Sequence, residues 1–317
     1  MTILVLTGPT GTGKSDWGAR LAATLPVEIV SVDSALVYRG LDIGTAKPPR
    51  ELREAVPHHL IDICDAAESY SAGRFVQDAV ARIAAIDARG HIPLLVGGTM
   101  LYFRALLHGI APLPQASEEI RRALDARAAR EGWPSLHAEL ARLDPVTAAR
   151  VHPNDPQRIQ RALEVCYTTG RPLSELQQST HSAIPADRVR RWALVPMDRV
   201  AWHRRLEERF HTMMTQGFLE EVAGLYARSD ISARLPSMRA VGYRQLWEHL
   251  AGETKLREAV QRGIAATRAL AKRQLTWIRA DRGLESVDPF APGAFERWRE
   301  TVAASLSRTW PVIGAAC

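Results

Sequence analysis

Cysteine is scarce: the 317 residues include three, Cys64, Cys166 and Cys317, and none of them forms a CxxC pair. That spacing excludes a cysteine-built zinc site and a dithiol redox couple, and the three read as reduced bystanders. Long apolar runs are also lacking. No stretch approaches the roughly 20 residues needed to cross a bilayer, so no membrane partner is expected. The opening Met1-Thr2-Ile3-Leu4-Val5-Leu6 is apolar but short, has no basic leader and runs straight into a glycine loop. It reads as a buried strand and not as a signal peptide, and a cytoplasmic protein is expected. No internal repeat and no disordered or fibrous composition is present.

Apolar residues make up an ordinary 46% of the chain, enough for a full α/β core. The net charge is +6 and the pI near 9.5, a balance that suits a polyanionic partner without identifying one.

Residues 2–7, Val27–Asp33 and His91–Gly97 read as buried strands, each followed by helix-like sequence, which predicts a parallel sheet wrapped by helices. From Pro112 to Asp187 apolar strands disappear and charged, alanine-rich helices such as Glu118–Arg130 and Leu136–Leu143 take over. This predicts a helical domain, 112–187, inserted into a core made of 1–111 and 188–317. Trp192-Ala193-Leu194-Val195-Pro196 reads as a strand returning to the sheet, after which the chain is expected to be almost wholly helical. From Glu253 to Arg279 no proline interrupts a helix. Leu256, Val260, Ile264, Leu275 and Ile278 share one side of it, with Arg268, Lys272 and Arg279 as a stripe beside them.

Gly8-Pro9-Thr10-Gly11-Thr12-Gly13-Lys14-Ser15 matches GxxxxGK(S/T), directly after a buried strand and directly before the amphipathic segment Asp16–Leu25. In such a loop glycines let backbone N–H groups converge on phosphate oxygens at a helix N-terminus. Lys14 adds a point charge, and the Ser15 hydroxyl suits a Mg²⁺ ligand. Gly8, Thr10, Gly11, Thr12, Gly13, Lys14 and Ser15 are therefore the expected phosphate site. The fold class that follows is α/β, a P-loop-type parallel sheet with an inserted helical domain. A nucleotide hydrolase commonly ends a later strand with a magnesium-holding Asp, whereas here the third strand ends in Gly97-Gly98-Thr99, which disfavours ATP hydrolysis. Asp33 ends the second strand, where an open parallel sheet places functional groups; a capping aspartate is the alternative.

The continuation Asp33-Ser34-Ala35-Leu36-Val37-Tyr38-Arg39-Gly40-Leu41-Asp42-Ile43-Gly44-Thr45-Ala46-Lys47-Pro48 closely resembles the bacterial tRNA dimethylallyltransferase family. The resemblance recurs in Gly97–Phe103, His152–Arg158, Arg161–Val165, Gly217-Phe218, Val241–Arg244 and Ala271–Gln274, and so covers nearly the whole chain. It implies transfer of a dimethylallyl group from dimethylallyl diphosphate to the N6 amine of an adenosine beside the anticodon in tRNA. Asp33 is then the general base, assisted by Thr10 and Arg239, with diphosphate leaving onto the loop and Mg²⁺. The tRNA contacts implied are Asp33, Ser34, Ala35, Leu36, Thr99, Gln157, Arg158, Ile159, Gln160, Arg161, Arg239, Arg244, Lys272 and Arg273. Arg268 and Arg279 are further candidates for phosphate contacts. Trp277 and the Met213-Met214 pair read as core packing, and a monomer is expected. Two rivals keep the loop but change the outcome: a small-molecule kinase of the phosphate-loop class, and an RNA-binding protein switched by nucleotide.

Overall fold

Strands that are covered on both faces need apolar side chains pointing both ways, and the central strands here have them. In the computed structural model, which describes residues 2–111, 113–114, 117–178 and 182–307, three strands are buried along their whole length. They are β1 (Ile3–Thr7), β2 (Val27–Val32) and the strand Ile92–Gly97. A two-residue strand β3 (His58–His59) precedes the last of these, which is therefore β4, and β5 (Val189–Leu194) and β6 (Glu285–Val287) follow. All pairings are parallel, in the order β3-β2-β4-β1-β5-β6. β3 and β6 escaped sequence reading because they are two and three residues long, sit at the sheet edges and are at best half-buried.

Alternation along the central strands feeds two cores. Ile3, Val5, Val30, Val32 and Leu95 point to one side, where Phe75, Ala79, Ile83 and Ile86 of helix Ala72–Ala88 cover them. Leu4, Leu6, Val27, Ile29, Leu94 and Val96 point to the other, against Trp17 and Leu21 of helix Lys14–Ala22 and Phe295 and Trp298 of helix Ala294–Ser307. Register then fixes the site. Thr7 lies opposite Gly97, and Gly97 opposite Val32, so the segments leaving β1, β4 and β2 emerge side by side at one edge of the sheet. That edge is where the strand order reverses, the crevice that open parallel sheets use for ligands.

The chain divides into two compact units: residues up to Leu107 together with those from Ile184 onwards, and His108–Ala183. The smaller unit has its own core, in which Leu124, Leu136, Leu140, Ile159, Leu163 and Val165 are almost fully buried. Its Glu164 is also wholly buried. There it accepts from Arg121 Nε at 2.9 Å, Arg161 Nη1 at 2.6 Å and the Ser117 N–H at 2.8 Å. Burial raises the carboxyl pKa, and these donors outweigh it to leave the group below the usual range. Among the described residues, no helix is long and apolar enough to cross a membrane.

Candidate active site

The phosphate loop is held by its own hydrogen bonds. Gly11 and Gly13 take left-handed backbone angles, φ 79° and 82°, and Gly13 opens helix Lys14–Ala22, whose first-turn N–H groups have no helical partners. The Pro9 carbonyl accepts from Thr12 Oγ1 at 2.9 Å and from Lys14 Nζ at 2.8 Å. Lys14 keeps some contact with solvent, yet protein surrounds it closely enough that lost hydration pulls its pKa down to about 7. The Asp33 carboxylate works against that shift and Arg209 with it.

Asp33 lies one residue beyond β2, and its Oδ1 accepts from the N–H groups of Ala35 at 2.8 Å and Leu36 at 3.3 Å. It closes a turn; no helix follows for it to cap. Oδ2 makes no hydrogen bond among the described residues. From the neighbouring strand end, Thr99 Oγ1 accepts the Ser34 N–H at 3.0 Å, so this hydroxyl is turned to Ser34 and not to the helix it precedes. Gly97 has to be glycine: a Cβ there would lie 2.0 Å from the Val32 carbonyl oxygen. No carboxylate can stand at that strand end.

Two helices from the later part of the chain complete an open cleft of about 690 Å³, within the range of small-molecule sites. Helix Arg199–Thr215 presents Leu206, Arg209, Phe210 and Met213; helix Leu256–Ala280 presents Thr267, Leu270, Arg273, Gln274 and Trp277. Both sets follow the three-to-four-residue step of one helical face, a signal that was present in the sequence. Arg209 is the principal residue missed there. It is half-buried in the cleft, makes no side-chain hydrogen bond among the described residues, and burial pulls its pKa below the usual arginine value while it remains charged. Trp277 corrects an expectation of core packing: it is 44% exposed, lines the cleft and lies beneath the Arg104 guanidinium. Leu256, expected on the buried side of its helix, is 37% exposed because it begins the first turn.

The outer wall is latched by Glu221, whose carboxylate takes the N–H groups of Asp42, Ile43 and Gly44 at 2.9, 2.7 and 3.2 Å and the Tyr243 hydroxyl at 2.5 Å. Burial, with Glu221 beside it, drives the Tyr243 hydroxyl far above its ordinary pKa. Gly44, Thr45 and Ala46 line the cleft in consequence, as does Arg239. Arg239 ends a short turn whose Ser237 hydroxyl is anchored on the Ala66 carbonyl at 2.6 Å.

The structure therefore gathers Thr10, Gly11, Gly13, Lys14, Ser15, Asp33, Ser34, Ala35, Leu36, Thr99, Arg239 and Arg273 around one cleft. Gly8 and Thr12, also of the loop, are buried. Lys272 is exposed beside the cleft-facing row, while Arg244 pairs with Glu248 at 3.1 Å and Arg268 with Glu207 at 2.6 Å. Gln157, Arg158, Ile159, Gln160 and Arg161 belong to the smaller unit. Two of them depart from the expected role. Ile159 is wholly buried in that unit's core, which puts its side chain out of reach of an RNA, and Arg161 is turned inward to Glu164 and the Pro114 carbonyl.

Fold and cleft together define an α/β protein, a parallel six-stranded sheet with surrounding helices, in which the glycine-rich Gly8–Ser15 loop faces a carboxylate and several arginines across one opening. Within that class the chain belongs to the IPP transferase family, whose sequence profile matches residues 36–281. The matched range begins after Gly8–Ser15, and the loop is read from its own sequence pattern. The chain is 54% identical over 304 residues to a tRNA dimethylallyltransferase of Methylococcus capsulatus, spanning 96% of this chain and 97% of that protein. Its fold is similar to the full-length tRNA isopentenylpyrophosphate transferase of Bacillus halodurans, at 34% identity, a TM-score of 0.70 and 97% coverage of each chain. It is also similar to a eukaryotic dimethylallyltransferase acting on tRNA, with 26% identity, a TM-score of 0.79, and coverage of 97% of this chain and 79% of that one.

Proposed function

We propose that this protein transfers the dimethylallyl group of dimethylallyl diphosphate to the N6 amine of an adenosine next to the anticodon in tRNA, releasing diphosphate. The observation that carries this reading is the shared cleft: Lys14 of the glycine-rich loop and Asp33 line one opening, close enough for the Asp33 carboxylate to bear on the lysine's charge.

The adenine amine is a weak nucleophile because its lone pair is delocalised into the ring. Bond formation from N6 to the allylic carbon proceeds as the carbon–oxygen bond to diphosphate breaks, and the N6 proton passes to Asp33, whose Oδ2 is open. The departing charge meets Lys14, Arg209, Arg239 and the loop N–H groups, all in place beforehand. Ser15 is exposed at the start of its helix and suits a single hydroxyl ligand; Mg²⁺ characteristically keeps waters and substrate phosphate oxygens as its other ligands. Mg²⁺ there would neutralise part of the diphosphate charge. Reaching N6 requires the adenine to leave its stack, and the apolar cleft wall of Leu206, Phe210, Met213, Leu270 and Trp277 offers it a place. Lys272, Arg273 and Arg244, with Gln157, Arg158 and Gln160 of the smaller unit, supply contacts to the RNA.

Thermal unfolding with each donor tests the reading. At 100 times its Kd, a ligand adds about 2.7 kcal/mol of stability, on the order of 4 °C in Tm for a chain of 317 residues. Dimethylallyl diphosphate with Mg²⁺ is expected to raise Tm and ATP is not. A rise with ATP alone favours a kinase or a nucleotide-switched protein.

A further inference from the structure

Gln274 reaches the phosphate loop from helix Leu256–Ala280, more than 260 residues further along the chain. Its Oε1 accepts the Thr10 N–H at 2.9 Å, and its Nε2 donates to the Gly98 carbonyl at 2.8 Å. One partner is a donor and the other an acceptor, so the amide fits one way round only. The Thr10 carbonyl is taken as well, by Trp202 Nε1 at 3.1 Å. Both backbone polar groups of Thr10 are thus spent on protein. Its N–H is not available to a phosphate oxygen, and its position is set before any ligand arrives.

The other end of the amide leads to the base. Gly98 is followed by Thr99, whose hydroxyl accepts the Ser34 N–H at 3.0 Å, and Ser34 follows Asp33. A continuous run of hydrogen bonds and short backbone links therefore joins Thr10, through Gln274, Gly98, Thr99 and Ser34, to Asp33. The fit at the middle is close, since a Cβ on Gly98 would stand 2.4 Å from Gln274 Nε2.

We propose that Gln274 is a positioning residue for the transfer step, fixing the distance between the diphosphate loop and the loop that carries the base. The proposal rests on the function given above. Displacement at an allylic carbon needs the attacking nitrogen, the carbon and the leaving oxygen in line, and a misplacement of about 1 Å costs on the order of 10²-fold in rate. Binding makes no such demand, because each substrate is held by its own set of groups. Gln274 therefore acts on the rate of the bound complex and little on either affinity.

Gln274→Met keeps the length and apolar stem but removes both hydrogen bonds. Single-turnover transfer with both substrates saturating is expected to slow roughly 10–100-fold, while the Kd values for dimethylallyl diphosphate and for tRNA each stay within about threefold. Lower stability alone does not slow the folded complex, so the split between rate and affinity separates positioning from a merely structural role. Trp202→Phe, which removes the indole N–H together with part of a buried ring, is expected to slow the same step several-fold with unchanged Kd values, and serves if the first variant fails to fold. A parent-like single-turnover rate in the folded variants, or a loss confined to donor affinity, overturns the proposal. Absence of transfer by the parent protein overturns the function on which it rests.

Discussion

Replacing Asp33 with Asn separates a base from a turn. Asn keeps an Oδ1 able to accept the Ala35 and Leu36 N–H groups, which lie at 2.8 and 3.3 Å, so the turn survives at a cost below about 1 kcal/mol. What Asn cannot do is take the N6 proton. Loss of general-base catalysis is worth about 10²–10⁴ in rate, or about 2.7–5.5 kcal/mol of barrier. A second effect runs through Lys14, because the Asp33 carboxylate raises the lysine's pKa and its removal lets that pKa fall further. Donor affinity weakens in consequence, most above neutral pH. Single-turnover assays at pH 6.5 and pH 8, with both substrates saturating, distinguish the two. A lost base slows the bound complex at both values, whereas a lysine effect vanishes on saturation. A parent-like rate in the saturated complex refutes the role of Asp33 and sends the proton to water or to the departing diphosphate.

Three further outcomes are expected. Lys14 titrates near 7 in the free protein and is held charged by bound diphosphate, so binding takes up a proton above pH 7. Donor affinity is then level just below that value and falls by up to about tenfold per pH unit above it, where the phosphate's own ionisation, near 6, is complete. Titration calorimetry from pH 7 to 8.5 checks this, and a flat Kd in the parent contradicts it; Lys14→Arg, always charged, is expected to be flat. Lys272→Ala with Arg273→Ala removes two exposed cations that form no ion pair among the described residues. The salt dependence of tRNA binding is expected to lose close to one unit of slope per residue, and an unchanged slope shows that neither touches phosphate. Arg161→Met takes a partner from the wholly buried Glu164 and is expected to destabilise the smaller unit by about 1–3 kcal/mol. Arg158→Met, breaking an exposed pair with Asp155, costs less than about 1 kcal/mol, and equal denaturant midpoints for the two contradict the inward reading of Arg161.

The parts legible in the sequence were those whose physics is local. β1, β2 and β4 are buried on both faces and so appear as largely apolar runs, interrupted in β2 by Glu28 and Ser31, and the glycine-rich loop is eight consecutive residues between a strand and a helix. Asp33 was legible because a strand end is a defined place in such a sheet. The rest depends on which way a helix face turns after folding. Arg209, Gln274 and Trp277 obey a helical period, but a face turned to a cleft mixes apolar and charged residues and resembles the border of any surface helix. Arg158 and Arg161 are alike in sequence; only the burial of Glu164, three residues beyond Arg161, sends one outward and the other in. β3 and β6 are too short and exposed to carry any alternation.

Transfer itself provides the most direct test. The protein is incubated with Mg²⁺, tRNA lacking the modification and dimethylallyl diphosphate labelled in its allyl carbons, and the tRNA is then digested to nucleosides and, separately, to sequence-mapped fragments. The account predicts label in a single nucleoside, N6-dimethylallyladenosine, mapping beside the anticodon, with one diphosphate released for each label and none incorporated by Asp33→Asn on the parent's timescale. Unlabelled tRNA after incubation with a folded protein that binds both substrates contradicts it.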